Sequence, residues 1–248
     1  MDGVHAPCHG VLTPVRDQEV ASRKEERVKN IEIIGAMEEE LAGLRVVHAE
    51  SPWRDRVIIR RTGVGKVNAA LAVADAKQRG VHCIISVGTA GALAPELRIG
   101  DVIIVHRAVQ HDVDASPVGF PRGTIPFESV SDWPADETLV RLAAHVARAC
   151  GYPTVIGNIC SGERFIADAA EKLWLRKHFG GACTDMETGA IAHACAKLGI
   201  PWVGIRIISD RADCDASTDF EASLALASDR IARIISNVCL RALEQELG

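Results

Sequence analysis

The chain has 248 residues, a formal charge of −5, 48% hydrophobic residues and only 4% aromatics. That length allows one large α/β domain or two small ones, and the acidic balance argues against a nucleic-acid footprint or a basic membrane-binding face. With so few aromatics the core is made of Ala, Val, Ile and Leu, which suits helices packed on a parallel sheet, and no apolar run approaches the roughly 18 residues of a membrane span.

Residues 1–27 are polar and lack the apolar centre of a signal peptide. They are expected to be a disordered extension ahead of one domain over residues 28–248. Val28–Gly35 reads as a first strand, and Ala36–Glu40 opens a helix whose three acids complement the helix dipole. Val57–Arg61 is a second strand. Gly63-Val64-Gly65-Lys66 then leads into a helix through about Arg79. This segment fails the phosphate-loop template at Arg60 and Val67, so its glycines indicate a tight turn and a close backbone approach. His82–Val87 is a buried strand ending in a small-residue loop, Gly88 to Leu93. Asp101–Val105 is another strand, followed by a long Pro- and Gly-rich loop from Val109 to Phe127.

Ala135–Cys150 reads as an amphipathic helix, Thr154–Cys160 as a strand, Ser161–Ile166 as a loop, Ala169–His178 as a helix and Ala182–Met186 as a short strand. In the segment Thr184–Asp210, Ala190, Ile191, Ala194, Cys195 and Leu198 recur at helical spacing. Gly199 and Pro201 stop the helix, and Trp202–Ile208 is apolar almost throughout, as in a strand covered on both faces. Arg206 interrupts it, and Asp210 lies at its carboxyl end, where open α/β sheets place ligands. Two readings stand for this pair: a structural Arg206–Asp210 ion pair, or a site. Arg211–Ser217 is polar, Thr218–Glu221 has a capping-box pattern, and a terminal helix runs to about Glu244.

Eight cysteines are scattered without a CxxC pair, which reads as reduced thiols in a cytoplasmic protein. The nine histidines show no metal-ligand spacing, so no metal is expected. His111, Asp112 and Asp114 fit a solvated turn better than a metal site.

Seven segments in order resemble the purine and uridine phosphorylase superfamily, and within it the 5′-methylthioadenosine/S-adenosylhomocysteine nucleosidases. They are IEIIGAMEEE (31–40), TGVGKVNAALA (62–72), SVGTAGALAPELRIGDVII (86–104), HDVDASPVGF (111–120), SGERFIA (161–167), DMETGAIAHACAKLGIPWVGIRIISDRAD (185–213) and FEASLALA (220–227). The resemblance implies a three-layer αβα fold with a mixed, twisted central sheet, a homodimer, and no cofactor. It implies hydrolysis of the N-glycosidic bond of an adenine nucleoside. Glu40 matches the general base, Asp210 the acid that protonates adenine, and Glu187 the carboxylate on the ribose hydroxyls, with Met186 beneath the sugar. Arg206 and Thr89 match positions near the attacking water. Phe165 stacks on the base, the Ile166 backbone reads its amino edge, and Ser209 supports Asp210. Phe220 lines the pocket for the 5′ substituent. Val118 stands where an aromatic is expected in that pocket, on a loop supplied by the partner subunit.

The chemistry suits these residue types. A departing adenine needs a proton at N7, so its donor needs a raised pKa, and a second carboxylate must activate water on the opposite face. The helix N-terminus is expected to keep Glu187 ionised. A phosphorylase would need cations for its nucleophile. Members of that kind carry Arg where this chain has Ser86 and the acidic Met37–Glu40 loop, so water is the favoured nucleophile. Asp185 stands where Glu is usual, and Thr89 where Ser is usual. The small Val118 leaves room for a bulkier 5′ group, such as an adenosyl-hopanoid. A non-catalytic nucleoside-binding module is disfavoured by the retention of Glu40, Glu187 and Asp210.

Overall fold

The computed structural model describes residues 30–213 and 215–247, with side chains to residue 242. The expected N-terminal extension lies outside the described residues. The elements follow in order: β1 (Ile31–Gly35), α1 (Glu38–Ala49), β2 (Val57–Arg61), α2 (Lys66–Gln78), β3 (Cys83–Ala92) and β4 (Val102–Gln110). After them come β5 (Trp133–Pro134), α3 (Glu137–Ala149), β6 (Thr154–Ser161), α4 (Ala169–Phe179), β7 (Gly181–Asp185), α5 (Thr188–Leu198), β8 (Trp202–Asp210) and α6 (Ala216–Leu247).

The eight strands form one mixed sheet. β2, β1, β3 and β8 are parallel neighbours, and β4 runs antiparallel to β8 and parallel to β6. β6 pairs β7, and β7 returns antiparallel to the end of β3, so β3, β8, β4, β6 and β7 close a ring. The closure coincides with a register shift between Ala90 and Gly91, beyond which Gly91 pairs both Asp210 of β8 and Thr184 of β7, and Ala92 pairs Cys183. A bulge of this kind bends a strand and re-aims its end.

Alternation along the strands sorts the core into two layers of helices. Val102 and Ile104 face α1, α3 and α6 in a cluster with Ile33, Leu44, Ile205 and Ile231, whereas Ile103 and Val105 face α2 and α5 with Ile34, Val73 and Ile191. A smaller cluster under α4 joins Val109, Cys160, Ile166 and Leu175. The α/β class and the αβα layering are those expected.

Three boundaries differ from expectation. The segment Gly88–Ala92, expected as a loop, is strand. Gly88–Gly91 pairs with Arg206–Asp210 of β8 and Ala92 with Cys183 of β7, and the small size of its residues has another cause, given below. The strand from Val102 runs on to Gln110 because β6 on one side supplies partners as far as Gln110 and β5 on the other pairs Arg107 and Ala108, where β8 has ended its pairing at Val105. α6 begins at Ala216, so Thr218 lies inside its first turn and does not cap it. The short strand β5, which the sequence reading lacks, covers the edge of β4. The six cysteines at described positions are all free, and all but Cys150 are buried. Among the described residues no helix is long and apolar enough to cross a membrane.

Candidate active site

A cleft of about 230 Å³ opens at the carboxyl ends of β1, β3, β7 and β8. Its walls include Glu40, Thr89, Phe165, Ile166, Met186, Glu187, Ser209, Asp210 and Phe220, brought together from across the chain. Arg206 lies behind this group, in a small adjoining cavity shared by Glu40, Thr89 and Glu187. Val118 is not among them. It is 73% exposed in the short 3-10 turn Ser116–Val118.

Glu40 is the buried acid of α1's first turn, while Glu38 and Glu39 face solvent. Its Oε2 accepts the N–H groups of Ala36 and Met37 at 3.1 Å, folding back on the start of its own helix. Its Oε1 accepts the Thr89 N–H at 2.8 Å and the Thr89 hydroxyl at 3.0 Å. Four donors and no acceptor suit an acceptor-only carboxylate. A Cβ on Gly88 would lie 2.8 Å from Glu40 Oε1, and one on Gly91 would lie 2.8 Å from Asp210 Oδ1. The strand is therefore glycine-rich because two carboxylates occupy the space that side chains would take.

Asp210 ends β8 and is 2% exposed. Its Oδ2 accepts from the Ser209 hydroxyl at 2.7 Å, and its Oδ1 from the Ala212 N–H at 2.8 Å. Ala212 adopts φ 51°, a left-handed conformation that is strained for a residue with a Cβ and that forms part of the turn at Asp210. Burial raises the Asp210 pKa against the lowering pull of these two bonds. Ser209 Oγ also lies 3.3 Å from the Ala90 carbonyl, so its hydroxyl keeps an acceptor when Asp210 holds a proton.

Glu187 is the residue before α5, and its Oε1 accepts the Gly65 N–H at 2.7 Å. Its pKa is pushed up to about 7, first by burial and then by the neighbouring Asp185 charge, with the Gly65 N–H and Arg206 opposing. The expectation that its helix keeps it ionised is therefore corrected. As the N-cap it sits outside the first turn of α5, its carboxylate points at α2, and desolvation outweighs the dipole.

Arg206 does not pair with Asp210, so the first of the two readings for that pair is also corrected. Its Nε and Nη2 donate to Asp185 Oδ2 at 3.1 and 3.0 Å, and both side chains are 3% exposed. Nη2 also donates to Ser86 Oγ at 2.8 Å and Thr188 Oγ1 at 2.6 Å. Asp185 further accepts the Ser161 hydroxyl at 2.5 Å. This buried ion pair braces the ends of β6, β7 and β8 behind the cleft. Among the described residues, the other cation at the cleft is Arg164, held by Glu171 at 3.1 and 2.9 Å.

Gly65 was legible as a turn glycine, with φ 97°, but its role as the donor to Glu187 was not. Its close approach is to the carboxylate of Glu163, 2.9 Å from where a Cβ would sit. Lys66, Asp112 and Glu163 join there in a cluster that sequence spacing does not reveal, because they come from the start of α2 and two separate loops. Among the described residues no group of His, Cys, Asp and Glu is arranged to hold a metal.

A profile of the phosphorylase superfamily matches residues 10–239. The 5′-methylthioadenosine/S-adenosylhomocysteine nucleosidase of Geobacillus sp. (strain WCH70) is 35% identical over 225 residues, covering 84% of this chain and 97% of that protein. Among solved structures, the Neisseria meningitidis nucleosidase of the same name, in complex with methylthio-immucillin-A, matches with TM-score 0.79 and 32% identity, over 85% of this chain and 98% of its own. The Helicobacter pylori futalosine hydrolase matches with TM-score 0.81 and 30% identity, over 86% and 98%.

Proposed function

The chain belongs to the nucleosidase branch of the phosphorylase superfamily, and from that premise we propose a reaction in which water displaces adenine from a 5′-substituted adenosine. It is an N-ribosyl hydrolase. The observation that carries the residue assignments is the convergence of Glu40, Glu187 and Asp210 on one cleft whose two nearby arginines are both engaged by carboxylates. Among the described residues, a phosphate nucleophile would meet three acids and no cleft-lining cation without a carboxylate partner, whereas water needs only a base.

In this reading Phe165 stacks on adenine, the Ile166 backbone reads its amino edge, and Asp210 donates to N7 as the bond to C1′ lengthens. Ser209 turns with the state of Asp210. Glu40 takes a proton from water on the other face of the sugar, beside Thr89 and Arg206, and Glu187 holds the ribose hydroxyls over Met186. Negative charge from Glu187 favours the oxocarbenium-like ring, whose positive charge in turn favours ionised Glu187. Assayed on methylthioadenosine, S-adenosylhomocysteine, adenosine and 5′-deoxyadenosine, with inosine as the non-adenine control, the enzyme releases free adenine from the adenine nucleosides at a rate indifferent to phosphate. Formation of a sugar 1-phosphate in phosphate buffer would reverse the choice of nucleophile.

The same reading includes a cytoplasmic homodimer in which the Val118 loop of one copy reaches the cleft of the other. Free thiols support the compartment. Exposed apolar residues support the dimer: Val67 and Leu71 one turn apart on α2, at 72% and 62% exposure, and Phe127 in the long loop at 95%. Sedimentation should give about 53 kDa, twice the chain mass of 26.6 kDa. A mass of one chain at micromolar concentration would remove the Val118 assignment.

A further inference from the structure

Two loops and the first turn of α2 meet beside the cleft through a closed cycle of hydrogen bonds. The Glu163 carboxylate accepts the Lys66 backbone N–H at 2.8 Å. Lys66 Nζ donates to Asp112 Oδ1 at 2.8 Å. Asp112 Oδ2 accepts the Glu163 backbone N–H at 3.0 Å, which returns the cycle to its start. Lys66 opens α2, and Asp112 and Glu163 lie in the loops after β4 and β6. Lys66 and Asp112 are largely shielded, with side-chain exposures of 19% and 24%.

We infer that Glu163 is a positioning residue for nucleoside binding: its carboxylate anchors the loop carrying Phe165 and Ile166 to the start of α2 and leaves the neighbouring Gly65 N–H to Glu187. The inference rests on the nucleosidase reading above. Phe165 and Ile166 follow Glu163 by two and three residues, and both line the cleft. Phe165 is 46% exposed, so packing alone does not hold it. That loop is held by Ile166, which is buried under α4, by the Arg164–Glu171 ion pair, and by the two bonds made by Glu163, which alone of these tie it to the start of α2 and to Asp112.

The division of the α2 N-terminus is the second half of the argument. The N–H groups of Gly65 and Lys66 are adjacent, and each serves one carboxylate, Glu187 at 2.7 Å and Glu163 at 2.8 Å. The arrangement also requires glycine at residue 65, because a Cβ there would strike Glu163 Oε2. Base-stacking loop and ribose-binding acid are thereby referenced to one rigid helix end, as a site needs for both halves of a nucleoside.

The test compares Glu163→Ala with Glu163→Gln. The amide oxygen of Gln still accepts from Lys66 N–H, so Glu163→Gln should stay within about threefold of wild type. Glu163→Ala should raise KM for the adenine nucleoside about tenfold, change kcat less, and reduce the preference for adenosine over inosine. The dissociation constant of free adenine, measured by calorimetry, should rise in parallel. A merely structural loss would lower the active fraction and leave KM, selectivity and adenine affinity unchanged, and that outcome overturns the inference. So does equal damage in both variants. If the wild-type protein itself does not bind adenine, the nucleosidase reading fails first.

Discussion

Asp210→Asn loses about 10²–10⁴ in kcat on methylthioadenosine while keeping its fold and its substrate affinity. The fold survives because the Asn amide oxygen still accepts the Ala212 N–H, and Ser209 has the Ala90 carbonyl as its second acceptor. Affinity survives because the other cleft walls are untouched. What goes is the proton for N7, on which the departure of the base depends. The pH profile separates this from general damage. Burial raises the Asp210 pKa, so the donor is the protonated form and wild-type kcat falls as pH rises through that value. The variant has no such group and its profile lacks that limb.

A chemically altered substrate sharpens the test. A nucleoside already methylated at N7 carries its positive charge on the base and needs no proton there. Wild type and Asp210→Asn should cleave it at similar rates, within about tenfold, although they differ by orders of magnitude on methylthioadenosine. If the variant is equally slow on both substrates, Asp210 is not the donor. If it is equally fast on both, proton donation is not limiting and the assignment of Asp210 falls.

Much of this arrangement was legible in the chain, for reasons that differ from element to element. The strand over Trp202–Ile208 could be read because a nearly unbroken apolar run requires cover on both faces, and the observed strand, which continues to Asp210, is buried at every position. The helix from Thr188 to Leu198 showed both its stripe and its stop at Gly199. Gly88–Ala92 misled for a physical reason. Glycine in a sequence signals conformational freedom, but here it signals occupied space, and the occupants, Glu40 and Asp210, are 48 and 119 positions distant. The partner of Arg206 was equally hidden. Spacing along one strand suggested Asp210, whereas the ring closure brings β7 and Asp185 to it. Residue types indicate which charges must be satisfied, and only the closed topology determines by whom.

Glu187→Gln should both inactivate the enzyme and stabilise it, and the pH at which it does so identifies the cause. Glu187 has an ordinary value of 4.5 and is raised to about 7 in the folded chain, by burial and then by Asp185. A raised carboxyl means that the folded state holds its proton more tightly than the unfolded state does. Stability is therefore full below about 4.5, declines as pH rises through 7, and levels off above it. The cost of forcing this charge into the cleft is on the order of 3 kcal/mol. Gln is neutral throughout and keeps an oxygen for the Gly65 N–H, so it avoids that cost. At pH 5 the variant and wild type should melt nearly together. At pH 8.5 the variant should melt on the order of 5–10 °C higher. Its kcat/KM should fall by about 10² or more, because a neutral amide neither grips the ribose diol as strongly nor favours the cationic sugar. A melting difference that stays flat between pH 5 and 8.5 would show that Glu187 carries no strained charge, and the trade of stability for catalysis at this position would have to be abandoned.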